Sequence, residues 1–311
     1  MFFLPFMQAC CIVAAPREQA PKYVRAEEWV QAHFPQLSRR QAREALAGEL
    51  VRKSGTALRK GDRVAPNATL DTKGLETHLI RLGQGNAEVV LDVLYESTDF
   101  AVVDKPAGTH GHPLSLWDDA TVTHWALHRY PELREALRDK AQPCLTPHRL
   151  DIGTTGALIV CRTKANYELW RGRFSRHEVT KQYLAWCWGS PKKLKFEINL
   201  GIGHDPSVPS RMLPDTEPKL RPPILPASTS VSVLETREGF FLCRATTRTG
   251  VTHQVRVHLS ALGFPLLGDA LYDATFAKRP LKPLWPQLRA SEINHPNFCL
   301  QTPSERFITS L

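Results

Sequence analysis

No two cysteines in this 311-residue sequence stand in a CxxC spacing, and no apolar run is long enough to cross a bilayer as a helix. The first absence excludes paired-cysteine zinc and dithiol redox motifs. The seven cysteines (Cys10, Cys11, Cys144, Cys161, Cys187, Cys243 and Cys299) are scattered, several in apolar runs, and are expected as buried, reduced thiols. No internal repeat is present, which excludes solenoid and propeller architectures. Acidic side chains are the minority, 31 against 40 basic, so the chain carries +9. That surplus suits a polyanionic partner. What is present is ordinary for a water-soluble globular chain: 42% apolar residues, enough for a sizeable core, and 23% charged. The length allows one large or two ordinary domains.

The opening "MFFLPFMQACCIVAAP" is apolar for about the length of a signal core, but it lacks a basic start and contains Pro5. Met7 to Cys10 make a poor lipoprotein box. Residues 1–22 therefore read as a flexible extension, or as a start placed too early. A cytoplasmic protein with no membrane partner is expected.

Residues 23–66 read as a small basic module. "LSRRQAREALAGELV" opens with Ser38, and Gln41 follows three residues later, the spacing of a capping box. Ala42, Ala45, Leu46 and Leu50 give this helix an apolar stripe, with Arg39, Arg40 and Arg43 expected on its outer surface. "LVRKSGTALRKGDRV" predicts two short strands around Ser54-Gly55. Arg52, Lys53, Arg59, Lys60 and Arg63 are expected to cluster on them. So much positive charge on so small a unit favours an RNA-binding face over a merely solvated one. Residues 67–92 read as a polar linker with one apolar strand at its end.

From residue 93 the larger domain begins. "FAVVDKPAG" predicts a strand entering a turn, "TKANYELWRGRF" a helix, and "KQYLAWCWG" another strand. Residues 204–227 hold seven prolines and no clear period, and predict a surface loop. "STSVSVLE" and "FFLCRATT" predict a hairpin across Arg237-Glu238-Gly239.

Within this frame "HRLDIGTTGALIV" stands out. Its end is an apolar core strand, yet Arg149 and Asp151 precede it closely. A carboxylate at the edge of a core is costly unless paired, hydrogen-bonded or useful. A partner is offered by "TRTGVTHQVRVHLSALG", a predicted helix with Thr252 as cap, a buried stripe of Val255, Leu259 and Leu262, and Gly263 as stop. His253 and Arg256 share a face near its N-terminal turn, where free amide donors and partial positive charge suit an anion. His253 and His258 are five apart, face different sides of the helix and form no zinc site.

Taken together, these stretches resemble the RluA-type family of pseudouridine synthases. "HRLDIGTTGALIV" resembles the family's HRLD-x-x-T-S-G, "VTKQYLAWCWG" its K-x-Y-x-A-x-x-x-G, and "TRTGVTHQVRVHLSALGFPLLGDALY" its T-G-R-T-H-Q-I-R-V-H-L…G-D-x-x-Y block. "VVDKPAGTHGHP" is similar to the K-P-x-G…H-P start, and the likeness runs from about residue 93 to the end. Val251 stands where the pattern has Arg, and Thr155 where it has Ser. Residues 23–66 resemble the S4 RNA-binding fold, with Ser54-Gly55 in place of Asn-Gly.

The resemblance implies an α+β fold: a mixed, mainly antiparallel sheet with flanking helices and a central cleft, behind the S4-like module. It implies isomerisation of uridine to pseudouridine in structured RNA, most of all 23S-type rRNA, with transfer RNA as the other class. No cofactor and no metal are implied, and a monomer is expected. Asp151 takes the place of the family's essential Asp, whether it attacks the sugar or promotes a glycal. Arg256 takes that of its cationic partner and Tyr183 that of the active-site Tyr, whose ring suits an extruded base. Arg149, in the place of an Arg that fills the space of the flipped nucleotide and otherwise suited to an ordinary phosphate contact, joins His148, Thr154 and His253 as substrate contacts. Arg39, Arg40, Arg43, Arg52 and Lys53 would hold RNA on the module. Two other classes stand against this reading. A non-catalytic RNA-binding or ribosome-assembly protein would have no need of Asp151, Tyr183 and Arg256 together. A glycosidic hydrolase needs two cooperating carboxylates, and the motif blocks offer no second acid at a catalytic position.

Overall fold

The computed structural model describes residues 23–134 and 145–309, in two compact units that divide at Leu75/Glu76. Cys10, Cys11, Cys144 and the extension at residues 1–22 lie outside the described residues.

In the smaller unit, strand β1 (Val24–Arg25) leads into helix α1 (Ala26–His33), which packs on α2 (Arg39–Ala47). The predicted capping box is present: Ser38 Oγ accepts from the Gln41 N–H, and Gln41 Oε1 accepts from the Ser38 N–H. Ala42, Ala45 and Leu46 are buried, but the helix ends at Ala47, so Leu50 lies beyond it. β2 (Arg52–Lys53) and β3 (Thr56–Ala57) form the expected hairpin. Ser54 and Gly55 both have positive φ, as a tight two-residue turn with the strands' own twist requires. Arg63 is not on this hairpin; it belongs to β4 (Arg63–Val64), which pairs with β1.

The expected linker contains a helix. α3 (Lys73–Gly83) spans the division between the units, with Leu75 buried and His78, Leu79 and Leu82 half-buried at helical spacing. This apolar stripe outweighs the glycines, Gly74 and Gly83, that make the stretch look irregular.

The larger unit is built on a nine-stranded mixed sheet. Its strands are β5 (Asp92–Glu96), β6 (Phe100–Lys105), β7 (Thr155–Cys161), β8 (Thr180–Trp188), β9 (Lys195–Asn199), β12 (Ser228–Arg237), β13 (Phe240–Thr247), β14 (Leu288–His295) and β15 (Phe298–Gln301). The order is β5-β6-β7-β14-β8-β13-β12-β9, with β15 beside β14, and only β7 and β14 run parallel. β12 and β13 close through Glu238-Gly239 with Arg237 opposite Phe240, as predicted. Residues 204–227 are more ordered than their prolines suggest. β11 (Met212–Pro214) pairs with β10 (Ile202–His204), because Met212 and Leu213 have an apolar surface to bury.

Helices cover both faces. α4 (Val122–Arg129) buries Val122, Trp125 and Ala126 against Ala101, Val103, Leu158 and Val160. α5 (Lys164–Ser175) buries Trp170 on the opposite face, against Val102, Ala157 and Ile159. α6 (Gln254–Ala261) lays Val255 and Leu259 over Tyr183, Ala185, Phe241 and Cys243. α7 (Glu305–Thr309) brings Phe307 and Ile308 to the reverse side, against Trp186 and Leu242. Leu150 packs against the clusters under both α4 and α6, which sets the neighbouring Asp151 between the two halves of the sheet.

Of the described cysteines, Cys161, Cys187 and Cys243 are buried and not joined in a disulfide, whereas Cys299 is exposed. Among the described residues no helix is long and apolar enough to cross a membrane.

Candidate active site

Asp151 lies on the wall of a cavity of about 340 Å³. The segment His148–Asp151 reaches it from the chain before β7, Lys181 and Tyr183 from β8, and Thr247–Arg256 from the end of β13 and the start of α6. The Asp151 turn is made by local contacts. The Thr154 N–H donates to the Asp151 carbonyl at 3.0 Å, and Gly156, at φ +105°, follows where the chain enters β7. A Cβ on Gly156 would stand 2.1 Å from the Ala290 carbonyl oxygen, so the close approach of β7 to β14 excludes any side chain there.

The expected partnership of Asp151 with α6 is present, with a tighter construction than the sequence suggests. Arg256 Nη1 donates to Asp151 Oδ2 at 3.2 Å. Its Nε and Nη2 donate to Asp269 Oδ2 and Oδ1, each at 2.8 Å. Asp269 is fully buried. Burial works against the Arg256 charge, but the hydrogen bonds and charge of Asp269, and then those of Asp151, outweigh it and raise its pKa. The guanidinium is thus a fixed cation, forked on one carboxylate and presenting its remaining edge to the other. It also lies over the Tyr272 ring, 5.0 Å from its centre.

His253 joins this group by an unexpected route. Thr252 is not the helix cap; that position belongs to His253, in the left-handed region at φ 58°. Gln254 Oε1 instead accepts from the Val251 N–H and the Thr249 hydroxyl, which holds the preceding turn. His253 Nε2 stands 3.7 Å from Asp151 Oδ2, while Nδ1 shares a 2.8 Å hydrogen bond with the Tyr272 hydroxyl. Burial lowers its pKa, against the pull of Asp151. Leu262, predicted in the buried stripe of this helix, is exposed, whereas Gly263 ends it with positive φ as expected. His258 faces away: its ring nitrogens meet Thr229 Oγ1 and the Leu200 carbonyl. Among the described residues no cluster of His, Cys, Asp or Glu is placed to hold a metal ion.

Tyr183 lines the same cavity and is almost wholly buried. Burial first, and the charge of Asp151 second, raise its phenol pKa, so the hydroxyl keeps its proton. Arg149 is exposed at the cavity. Two other predicted substrate contacts serve the scaffold first. Thr154 is buried, its N–H spent on the turn. His148 Nε2 accepts from the Ile159 N–H at 3.0 Å, and burial, reinforced by Lys181, drives its pKa down to about 3. A ring placed this way is neutral and cannot act as a phosphate-binding cation.

Sequence reasoning missed four side chains that build the site: Asp269, Lys105, Lys181 and Gln254. Lys105 is fully buried and its ammonium donates to the carbonyls of Pro106, Thr109 and Ile152, which ties the turn after β6 to the residue following Asp151. Burial pulls the pKa of Lys105 down to about 8, with Asp151 opposing; burial does the same to Lys181, which donates to the Thr249 carbonyl. Gln254 Nε2 donates to Ser228 O, Thr229 Oγ1 and Thr247 Oγ1 and so anchors α6 to the sheet. The available signal was an acid, Asp269, inside the apolar run "PLLGDALY".

In the smaller unit the basic residues are less free than expected. Arg40 pairs with Glu44 and Arg52 with Glu49. Arg43 stays partly exposed, but its Nε lies 3.9 Å from the fully buried carboxylate of Glu27. Arg39 and Lys53 are exposed with no acid paired to them among the described residues. Together with Arg59 and Lys60, Arg40, Arg43 and Arg52 line an open groove.

The mixed, mainly antiparallel sheet with helices on both faces is a pseudouridine synthase fold. A solved human protein, RNA pseudouridylate synthase domain containing 1, is similar over 73% of this chain and 88% of its own, at 28% identity and a TM-score of 0.59. The family model described as RNA pseudouridylate synthase matches residues 99–261, and the chain belongs to that family. It is 29% identical over 259 residues to an uncharacterized RNA pseudouridine synthase of Synechocystis, covering 81% of this chain and 75% of that one. It is also 29% identical over 246 residues to ribosomal large subunit pseudouridine synthase D of Yersinia pestis, covering 77% and 70%.

Proposed function

We propose that this enzyme isomerises uridines to pseudouridine in large-subunit, 23S-type rRNA, with Asp151 as the catalytic residue. The observation that supports this best is the Asp151 carboxylate held in the cavity by an arginine that Asp269 clamps from behind. The rRNA assignment leans on relatives named as large-subunit synthases. In the reaction the N1–C1′ bond breaks, the base turns, C5 bonds to C1′, and the proton lost from C5 is balanced by one gained at N1. The atoms balance without a cofactor. Asp151 acts at the sugar, by attack on C1′ or by promoting a glycal, and either route uses the carboxylate. Arg256 orients it. Tyr183 offers its ring to the extruded uracil and its hydroxyl to the proton transfer. Arg149 enters the space the base leaves, and His253 completes the wall.

The smaller unit is read as an S4-like module that adds affinity through Arg39 and Lys53, with Arg40, Arg43 and Arg52 exchanging carboxylate for phosphate on binding. A cytoplasmic monomer completes the proposal. The test is pseudouridine mapping of in vitro-transcribed 23S-type rRNA after incubation with wild type and Asp151→Asn. Wild type should form pseudouridine at discrete positions, and the isosteric variant should form none while keeping its fold and RNA affinity. Substantial product from Asp151→Asn would remove Asp151 from the chemistry.

A further inference from the structure

Four arginines line the Asp151 cavity, and only the buried one, Arg256, meets a carboxylate among the described residues. Elsewhere in the larger unit pairing is common: Arg129 meets Glu96, Arg162 Glu132, Arg176 Glu178, Arg211 Asp205 and Arg289 Asp104. Besides Arg149, the exceptions at the cavity are Arg171 and Arg248. Both are exposed, and both are held by neutral oxygens. Arg171, on α5, donates through Nη1 to the Pro147 carbonyl at 3.4 Å. Arg248, in the turn between β13 and α6, donates through Nε to Thr180 Oγ1 at 3.3 Å. Each contact is long enough to be marginal and leaves other N–H groups of the fork unspent. A guanidinium with unspent N–H groups and no carboxylate paired to it among the described residues is suited to a phosphate. Val251, in contrast, turns its side chain into an apolar cluster with Ile202, Met212 and Val257 and supplies no charge to this rim.

We propose that Arg171 and Arg248 form a clamp on the RNA backbone at the mouth of the cavity, binding phosphates next to the nucleotide that enters it. The inference rests on the RNA-modifying reading of the same cavity and adds the residues that place the strand. Neither touches the reacting atoms. Their contribution is to binding and positioning, so their loss should raise KM and leave kcat nearly unchanged.

The test uses the full chain and in vitro-transcribed 23S-type rRNA. Affinity is titrated at several salt concentrations for Asp151→Asn alone and combined with Arg171→Ala or Arg248→Ala. In parallel, kcat and KM are measured for each arginine variant with Asp151 intact. Each alanine should weaken binding about 10-fold and lower the slope of log affinity against log salt by about 0.7 to 0.9, the loss of one phosphate contact. Arg248→Lys, which keeps the charge, should keep the slope. Unchanged affinity and slope in both alanine variants would overturn the clamp. So would a fall in kcat at constant KM, which would make Arg171 a prop for the His148–Asp151 segment. If wild type forms no pseudouridine, the catalytic reading fails, and the salt slopes still decide the clamp by themselves.

Discussion

Replacing Asp269 by Asn tests the construction of the site without touching a group assigned to the chemistry. Asp269 is fully buried and accepts two of the three Arg256 side-chain hydrogen bonds, at 2.8 Å each, together with the N–H groups of Leu271 and Tyr272. Asparagine keeps the shape, removes the charge and turns an amide NH2 toward a guanidinium that has no lone pair to offer it. Arg256 is then a buried cation whose remaining carboxylate is Asp151 at 3.2 Å. Breaking one side of a buried pair costs about 3–5 kcal/mol. For a unit of this size that lowers the melting temperature by roughly 6 to 20 °C. Arg256, no longer forked, draws on Asp151, and a displacement of about 1 Å costs turnover on the order of 10²-fold. Scanning calorimetry and single-turnover assays on the same preparation measure the two effects. The double variant Asp269→Leu/Arg256→Met separates them: exchange of the whole pair for apolar side chains should restore much of the melting temperature and none of the activity. Wild-type melting and turnover in Asp269→Asn would refute the claim that Asp269 holds Arg256 in place.

Gly156→Ala should be severely destabilising, by about 3 kcal/mol or more, because the new methyl meets the Ala290 carbonyl oxygen at a backbone angle that only glycine tolerates; chemical denaturation measures it, and a near-neutral result would mean that β7 and β14 are not so close. His148 links stability to pH. Its folded pKa of about 3 lies below the usual 6.5, so the unfolded chain takes up a proton that the folded chain does not. Stability from this residue is complete above pH 6.5 and is lost as pH falls toward 3, amounting to about 2 kcal/mol by pH 5. His148→Phe should therefore lose less stability than wild type between pH 7 and pH 5, and parallel pH profiles would count against a neutral buried imidazole. Tyr183→Phe keeps the ring and removes the hydroxyl. RNA affinity should hold while turnover on bound RNA falls about 10²-fold, and the reverse pattern would make Tyr183 a packing residue.

Much of this protein was legible from local physics. The capping box at Ser38 and Gln41, the two-residue turn at Ser54-Gly55 and the β12–β13 hairpin each depend on residues within a few positions of one another, and each stands as read. The α3 helix was also legible, in the spacing of Leu75, His78, Leu79 and Leu82, but the surrounding polar residues and glycines masked it. Asp151 and Arg256 could be singled out because an acid beside an apolar strand and a base on a helix each need an explanation. That they meet across 105 positions, however, follows from the sheet. β14 enters between β7 and β8, brings two distant halves of the chain together and forces Gly156 against Ala290. The same assembly closes Asp269 over Arg256, spends His148 on a backbone amide and leaves Arg171 and Arg248 at the cavity with no acid paired to them among the described residues. A residue's type and its near neighbours determine what it is able to bind. Which distant group arrives within 3 Å, and how much water is excluded when it does, is decided only when the strands take their order.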